Sequence, residues 1–245
     1  MIRLEGLHKS FGPNHVLRGV DLEVPKSCLY GLIGPGASGK SVLLKLTTGL
    51  MRPEKGRVLI EGQDLSKLSE LELQKFRTRF GIAFQNNALF DYLTVGENIA
   101  FPLRRLFALS EEEIAERVAE RLRSVSLDGF EDRVPAGLSG GQKKRVGVAR
   151  ATVSRAEIVL YDEPAAGLDP VTSQRIFELL QREQRASGAT VVMVSSDLDR
   201  LLSVTDRVGM LYQGKLLFDG TTEEAQACMD PVVRQFVHGL TDGPL

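Results

Sequence analysis

The sequence predicts an α/β fold built around a largely parallel β-sheet. The first supporting observation is a β-rich start, and the second is a helical segment in the middle of the chain. The third is an alternation of strand and helix patterns after residue 157, at 158–161, 172–185, 190–195, 197–204 and 208–212. Strands that alternate with helices in this way pack as parallel strands joined by helical crossovers.

The β-rich start consists of four short apolar runs, at residues 2–7, 16–24, 29–33 and 58–60. Turn-forming residues separate these runs, among them Gly12-Pro13 and Pro25. Apolar runs of this length between turn residues favour strands. We therefore expect the N-terminal part of the chain to form a β-subdomain.

The middle segment, residues 110–125, has the pattern of an amphipathic helix. Ser110 is placed to cap it, and three glutamates follow in the first turn. One helical face carries the apolar residues Ile114, Val118, Leu122 and Val125. Residues 222–240 also have a helical pattern, before a tail that ends in Asp242-Gly243-Pro244-Leu245. We expect a helical insertion between two mixed halves and a C-terminal helix.

The composition is that of a chain that can bury a complete core without disulfide bonds. Of 245 residues, 42% are hydrophobic and 26% are charged. The 31 basic residues balance 32 acidic ones, so no nucleic-acid partner is predicted. No apolar run approaches the roughly 18 to 20 residues of a membrane span. Because the chain opens without a secretory-type leader, we expect a cytoplasmic compartment, with Cys28 and Cys228 reduced.

A phosphate-binding loop follows the apolar run 29–33. It reads Gly34, Pro35, Gly36, Ala37, Ser38, Gly39, Lys40 and Ser41, and an apolar helical segment begins at Val42. Strand before and helix after are the context in which backbone amides cradle phosphates. Lys40 is expected to reach the β and γ phosphates of ATP, and the Ser41 hydroxyl to ligate Mg²⁺. A glycine-rich turn that arises by chance is the alternative.

Two adjacent carboxylates end the apolar run 158–161. At the end of such a strand, Asp162 is placed to hold Mg²⁺ and Glu163 to activate a water for attack on the γ-phosphate. A charged strand end without catalytic function is common, but the upstream phosphate loop favours the catalytic interpretation.

The pentapeptide Leu138-Ser139-Gly140-Gly141-Gln142 resembles the signature of the ABC transporter ATPases. A serine hydroxyl and glycine amides at a helix start can bind an anion. In that family, they face the γ-phosphate of the nucleotide held by the other subunit. The resemblance therefore implies a head-to-tail homodimer with two ATP molecules between the subunits.

The resemblance covers nearly the whole chain and implies a P-loop NTPase of the ABC-cassette fold. That fold has a mixed RecA-like core, an N-terminal antiparallel β-subdomain and an inserted α-helical subdomain. On this basis residues 1–245 form a single domain. Its core and β-subdomain are 1–85 and 151–221, its helical subdomain is 86–150, and its C-terminal helix and tail are 222–245.

Three further positions match the family in order. Gln85 resembles the glutamine that helps hold Mg²⁺ and the attacking water, and Asp169 resembles the aspartate that lies near the partner's nucleotide. Phe11 matches the aromatic residue that stacks on adenine. Taken alone, Gln85 reads as a surface glutamine, Asp169-Pro170 as a helix-capping turn and Phe11 as a core residue.

One position departs from the family pattern. Ser196 stands where the family usually has a histidine that contacts the γ-phosphate. A hydroxyl is shorter than imidazole and carries no charge, so we expect reduced but real hydrolysis. An ATP-operated clamp that barely hydrolyses is the competing interpretation.

The single cassette, with no long coiled-coil insertion, indicates a transporter subunit that works with a separate membrane permease. The segment 86–106 would contact that permease or form packed core. Residues 230–239 and the tail resemble those of Mla-type lipid-transport ATPases, as do 36–41 and 142–146. That subgroup implies phospholipid transport at the cytoplasmic side of the bacterial inner membrane, an MCE-type lipid-binding protein and a possible STAS-domain subunit. For the cargo, transport of another solute is the alternative. For the tail, which could cross the dimer, the alternative is packing on its own subunit.

Overall fold

The computed structural model describes residues 1–245, which divide into two units. The first unit is Met1–Arg77 with Thr190–Leu245, and the second is Thr78–Ala189. None of the helices combines the length and the apolar character that crossing a membrane requires.

The elements follow one another in three stretches of chain. Residues 1–77 contain β1 (Ile2–Phe11), β2 (Asn14–Val24), β3 (Leu29–Ile33), α1 (Lys40–Thr47), β4 (Lys55–Ile60), β5 (Gln63–Asp64) and α2 (Glu70–Phe76). Residues 78–189 contain β6 (Phe80–Ala83), α3 (Val95–Leu106), α4 (Glu111–Ser124), α5 (Gly140–Thr152), β7 (Ile158–Asp162) and α6 (Pro170–Ser187). Residues 190–245 contain β8 (Thr190–Val194), α7 (Leu198–Val204), β9 (Arg207–Tyr212), β10 (Lys215–Thr221), α8 (Thr222–Gln226) and α9 (Pro231–His238).

The first unit contains an antiparallel sheet with strand order β2-β1-β4-β5. Ile2 of β1 pairs with Val24 of β2 on one side and with Ile60 of β4 on the other. All three side chains are buried, because alternate residues of these strands face the core. The predicted N-terminal antiparallel β-subdomain is therefore confirmed.

The first unit also holds four strands in the order β10-β9-β3-β8. β3 runs parallel to both β8 and β9, and β10 is antiparallel to β9. Every residue of β3 and β8 is buried, as expected for parallel strands covered on both faces. The carboxyl ends of β3 and β8 lie side by side, since Leu32 pairs with Val194. Segments that leave these two ends therefore meet at one edge.

The second unit pairs β6 with β7 in parallel and packs α3, α4 and α5 against one another. α4 begins with a capping box in which Ser110 accepts from the Glu113 amide, as the sequence predicted. The fully buried amide group of Asn98 exchanges hydrogen bonds with the backbone of Phe90, Leu93 and Thr94. These bonds fix the loop that leads into α3.

The C-terminal region differs from the sequence prediction. The predicted helical stretch 222–240 is two helices, α8 and α9, with a break at 227–230. Pro231 disfavours helical backbone at the residue before it, and the Asp230 carboxylate accepts from the amides of Val232 and Val233. The Asp-Pro pair therefore starts a new helix instead of continuing the old one.

Glycine at position 81 of β6 is required by packing, because a Cβ atom there would lie 1.9 Å from the Ala151 carbonyl oxygen of α5. We expect Gly81→Ala to lower the free energy of unfolding by at least about 2 kcal/mol, since a backbone group cannot rotate away as a side chain can. Urea unfolding followed by circular dichroism measures the change. Gly137→Ala is the matched control, because its added methyl would meet no atom within 4 Å. Equal midpoints for the two variants would contradict the packing argument.

Candidate functional site

The phosphate-binding loop lies between β3 and α1, and glycines are required at both of its ends. Gly34 has a φ of 141°, and a Cβ atom there would lie 2.1 Å from the Leu211 carbonyl oxygen. Gly39 has a φ of 105°, and a Cβ atom there would come within 2.9 Å of the Leu17 side chain. Glycine alone satisfies both the left-handed backbone and the close packing.

The loop combines backbone donors with a cation. α1 begins at Lys40 and no side chain caps its N-terminus, so the positive end of the helix lies at the loop. The Lys40 ammonium donates to the carbonyls of Gly34 at 2.7 Å and Pro35 at 2.8 Å. An ammonium group and a helix N-terminus at the same loop suit a polyanion such as a nucleoside triphosphate.

Ser196 lies at the edge of the sheet from which the phosphate loop starts. It follows β8 by two residues and is exposed, and β8 ends beside β3. The neighbouring Ser195 hydroxyl accepts from the Asp197 amide at 3.1 Å, and Asp197 caps α7. This turn holds the Ser196 backbone in place.

Phe11 lies at the end of β1 with its side chain 48% exposed, so it does not form part of the core. The Lys9 ammonium lies 5.7 Å from the ring centroid. β2, which pairs with β1, places Val16 and Leu17 against Gly39 of the phosphate loop. Phe11 is therefore an accessible ring on the hairpin that packs against this loop.

The second unit carries the predicted carboxylates at the end of β7. Ala83 of β6 pairs with Tyr161 of β7, so Gln85 and the pair Asp162-Glu163 leave neighbouring strand ends. Glu163 has a φ of 50°, a left-handed conformation that is uncommon for residues other than glycine. Such backbone persists where surrounding contacts maintain it.

A buried lysine that sequence reasoning had not selected joins these two segments. Lys144 of α5 is 7% exposed, and its ammonium donates to the carbonyls of Gln85 at 2.5 Å and Glu163 at 3.2 Å. Burial lowers the pKa of Lys144, while the nearby carboxylates of Glu163 and Asp162 raise it. Its position on α5, one turn after the buried Gly141 and one turn before the buried Val148, is the sequence signal for burial.

Arg150, which lies nearer the C-terminal end of α5, binds the same loop as Lys144. Its guanidinium donates to the carbonyls of Asn87 at 2.5 Å and Ala88 at 2.7 Å. Both of these residues have left-handed backbone. Desolvation by burial lowers the pKa of Arg150. Two cations of one helix thus hold three carbonyls of the segment 85–88.

The predicted signature lies at the N-terminus of α5. Ser139 caps this helix in a capping box with Gln142, in which each side chain bonds the other's amide. Ser139 and Gly140 are exposed. A Cβ atom on Gly141 would lie 2.7 Å from the Thr172 side chain of α6, so glycine allows α5 and α6 to approach closely.

Asp169 caps α6, as the helix-capping interpretation of Asp169-Pro170 predicted. Its carboxylate accepts from the amides of Val171 and Thr172 at 3.0 Å each. The hydrogen bonds with Thr172 lower the pKa of Asp169. Leu168, the preceding residue, lies 3.3 Å from a Cβ atom built on Gly140 of the signature. The turn before α6 and the signature are therefore neighbours.

The predicted site residues fall into two groups. The first unit holds Phe11, the phosphate loop with Val42, and Ser196, whereas the second holds Gln85, the signature, Asp162, Glu163 and Asp169. Each group is organised within its own unit by the contacts given above.

Comparison with known proteins matches this chain to ATP-binding subunits of transporters. The ABC transporter family model matches residues 17–166. The chain is 41% identical over 244 residues to "Probable ribonucleotide transport ATP-binding protein mkl" of Mycobacterium leprae, an alignment that covers 100% of this chain and 70% of that protein. It is 35% identical over 245 residues to "Intermembrane phospholipid transport system ATP-binding protein MlaF" of Haemophilus influenzae, covering 100% of this chain and 93% of that protein.

Among solved structures, the fold matches the ATP-binding cassette MJ0796 in a dimeric post-hydrolysis state bound to ADP and Pi. The TM-score is 0.83 at 32% identity, and the match covers 91% of this chain and 99% of that one.

Ala37 of the phosphate loop has a φ of 58° and an exposed side chain, which yields a prediction about nucleotide binding. Ala37→Gly relieves the left-handed conformation, whereas Ala37→Val makes it more costly by about 1 to 2 kcal/mol. We expect Ala37→Gly to bind a fluorescent ATP analogue at least as tightly as the original chain. Ala37→Val should bind about tenfold more weakly. Wild-type affinity in Ala37→Val would show that the loop backbone is set otherwise.

Proposed function

We propose that this chain, which belongs to the ABC transporter family, uses ATP hydrolysis to drive phospholipid transport between membranes through a separate permease. The observation that carries the lipid assignment is the alignment with MlaF, which includes all of this chain and nearly all of that phospholipid-transport ATPase. The similarity thus continues past residue 166, where the family model ends, through the C-terminal helices.

The chain is the ATP-binding and ATP-hydrolysing subunit of a transporter, and its fold is the cassette fold that the sequence predicted. We assign the phosphates of ATP to Lys40 and the amides of its loop, and the adenine to Phe11. Glu163 is assigned as the general base, which accepts a proton from the water that attacks the γ-phosphorus while ADP leaves. Gln85 orients that water.

Mg²⁺ fits the oxygen donors that the sequence offers. Ser41 supplies a hydroxyl, Asp162 a carboxylate and Gln85 an amide oxygen, all hard donors that suit this ion. No group of three or more His, Cys, Asp or Glu residues in the structure could hold a metal by itself. Mg²⁺ bound with nucleotide needs no such group, since phosphates and waters complete its shell. When bound, it would neutralise charge on the β and γ phosphates.

The signature is suited to act on a nucleotide held by a second copy. Ser139 and Gly140 are exposed at the start of a helix of 13 residues, where amides and the helix dipole favour an anion. The cassette MJ0796, which has this fold, is dimeric in two solved structures. In a head-to-tail homodimer, we assign the signature residues 139–142 to the partner's nucleotide. Asp169 is assigned to the same nucleotide.

Ser196 limits turnover in this proposal. It lies at the edge where the phosphate loop begins, but a serine hydroxyl reaches less far than an imidazole and cannot become cationic at neutral pH. Glu163 still provides a base, so hydrolysis continues at a reduced rate. A clamp that binds ATP and scarcely hydrolyses it is the second candidate.

The surface of α3 offers a docking site for the permease. Tyr92, with a side chain that is 80% exposed, forms a shallow groove with Leu93, Phe101, Glu97, Arg104 and Arg105. Phe101 of this groove packs against Phe90, with ring centroids 4.8 Å apart. An exposed aromatic groove of this kind supports the permease-contact interpretation of segment 86–106.

The proposed cargo is phospholipid, and the alternative is another solute. The name of Mkl refers to ribonucleotide transport and that of MlaF to phospholipid transport. Coverage of nearly the whole MlaF chain favours lipid, with an MCE-type lipid-binding protein and a STAS-domain subunit as partners at the cytoplasmic face of a bacterial inner membrane. The tail bonds to its own chain, since Gln235 donates to the Leu240 carbonyl at 3.2 Å and accepts from the Leu245 amide at 2.7 Å. These bonds fold the last residues back onto α9.

Phosphate release by the chain reconstituted with its permease tests the ATPase assignments. We expect Glu163→Gln and Lys40→Ala each to lose at least about a hundredfold in turnover, because one lacks the base and the other the phosphate-binding cation. Ser196→His should raise kcat. Turnover of the original chain no higher than that of Glu163→Gln, with ATP still bound, would establish the clamp instead.

Transfer assays on the same proteoliposomes test the cargo. We expect ATP to drive movement of a fluorescent phospholipid between the vesicles and an MCE-type acceptor protein, and Glu163→Gln to stop it. Uptake of a radiolabelled ribonucleotide under the same conditions serves as the comparison. ATP-driven nucleotide uptake without lipid transfer would overturn the lipid assignment while leaving the ATPase assignment intact.

A further inference from the structure

The buried ammonium of Lys144 binds only main-chain atoms of the site. Its two hydrogen-bond acceptors are the carbonyls of Gln85 and Glu163, which lie 59 and 19 residues away along the chain. One side chain therefore ties the segment after β6 to the segment after β7. Both of these segments carry a residue assigned above to the attacking water.

Burying this cation is costly, which argues against a purely structural role. A desolvated ammonium stays charged only where nearby groups compensate for the lost water. The carboxylates of Asp162 and Glu163 contribute to that compensation, since both raise the pKa of Lys144 against the effect of burial. An apolar residue would fill the same space at a lower cost. The charge of Lys144 therefore serves its hydrogen bonds to the two carbonyls and not the packing of α5.

The backbone of Glu163 needs such a contact. Its left-handed φ of 50° is unfavourable for a residue with a side chain, and its carbonyl is held by two donors, Lys144 and the Ala166 amide at 3.2 Å. Because the Cα–Cβ direction follows the backbone, these bonds fix the direction in which the Glu163 side chain leaves the main chain. The bond to the Gln85 carbonyl sets the position of that residue in the same way.

Lys144 also belongs to the helix that starts with the signature. Ser139 caps α5, and Lys144 lies five residues later, in the second turn of the same helix. A displacement of the N-terminus of α5 is therefore transmitted to the carbonyls of Gln85 and Glu163. Arg150, on the same helix, holds Asn87 and Ala88 and keeps the rest of that loop attached to α5.

We propose that Lys144 is a positioning residue that aligns Glu163 and Gln85 for ATP hydrolysis from the helix that carries Ser139. This inference rests on the assignment of Glu163 as the general base. It makes the alignment of the base in one copy depend on the position of its signature, which in the proposed dimer contacts the nucleotide of the other copy. Hydrolysis is then linked to closure of the dimer through one buried ammonium.

The test is steady-state ATP hydrolysis by the permease complex with Lys144→Met and Lys144→Arg. We expect Lys144→Met to lower kcat by about tenfold or more with little change in KM, because binding of ATP uses other residues while alignment of the water is lost. Lys144→Arg, which keeps a cationic donor, should recover most of kcat. Arg145→Met is the matched control, since Arg145 is the next residue of α5 and donates to the Ser126 carbonyl at 3.4 Å, away from the site.

Unchanged kcat in Lys144→Met, or equal loss in Lys144→Met and Arg145→Met, would overturn the inference. Circular dichroism and binding of a fluorescent ATP analogue establish that each variant is folded. If Lys144→Met unfolds, Lys144→Gln, which keeps a donor without the charge, is judged by the same comparison of kcat with KM. Glu163→Gln is measured in parallel. If Glu163→Gln loses ATP hydrolysis while Lys144→Met keeps a normal kcat, this inference alone is rejected. If Glu163→Gln still hydrolyses ATP, the assignment of Glu163 as general base in the proposed function is rejected as well.

Discussion

Binding of a triphosphate by backbone amides requires a loop whose peptide groups turn inward, and the rest of this chain is arranged to hold such a loop. A fully buried strand, β3, delivers the loop, and an uncapped helix, α1, receives it. The glycines at its two ends are fixed by the Leu211 carbonyl and the side chains of β2. These supports come from parts of the first unit that are distant along the chain.

The second unit solves a different problem, which is to hold exposed loops firmly without burying them. Its loops after β6 and β7 contain several left-handed residues and lie at the ends of neighbouring strands. α5 stabilises them with cations directed at carbonyl groups, and Asn98 adds amide hydrogen bonds at the end of the loop after β6, where it meets α3. Charge and hydrogen bonding therefore replace apolar packing where the site must remain open to solvent.

The sequence predicted the features that depend on a few adjacent residues. The phosphate loop, the cap of α4 at Ser110 and the strand 158–161 each carry a local signal, and the structure contains each of them. Features set by distant contacts were missed. Lys144 was not among the predicted site residues, since its acceptors on the loops after β6 and β7 are 59 and 19 residues away along the chain. The break at Asp230-Pro231 had a local signal, which the helical pattern on both sides concealed.

The hold of α5 on the segment 85–88 acts on carbonyl oxygens, which every amino acid possesses. Exchange of the side chains at Asn86 or along the exposed groove of α3 therefore leaves these bonds in place. The frame that holds the catalytic loops and the surface proposed to meet a permease can thus diverge independently. A cassette of this design can acquire a new permease by surface mutation without rebuilding its catalytic apparatus.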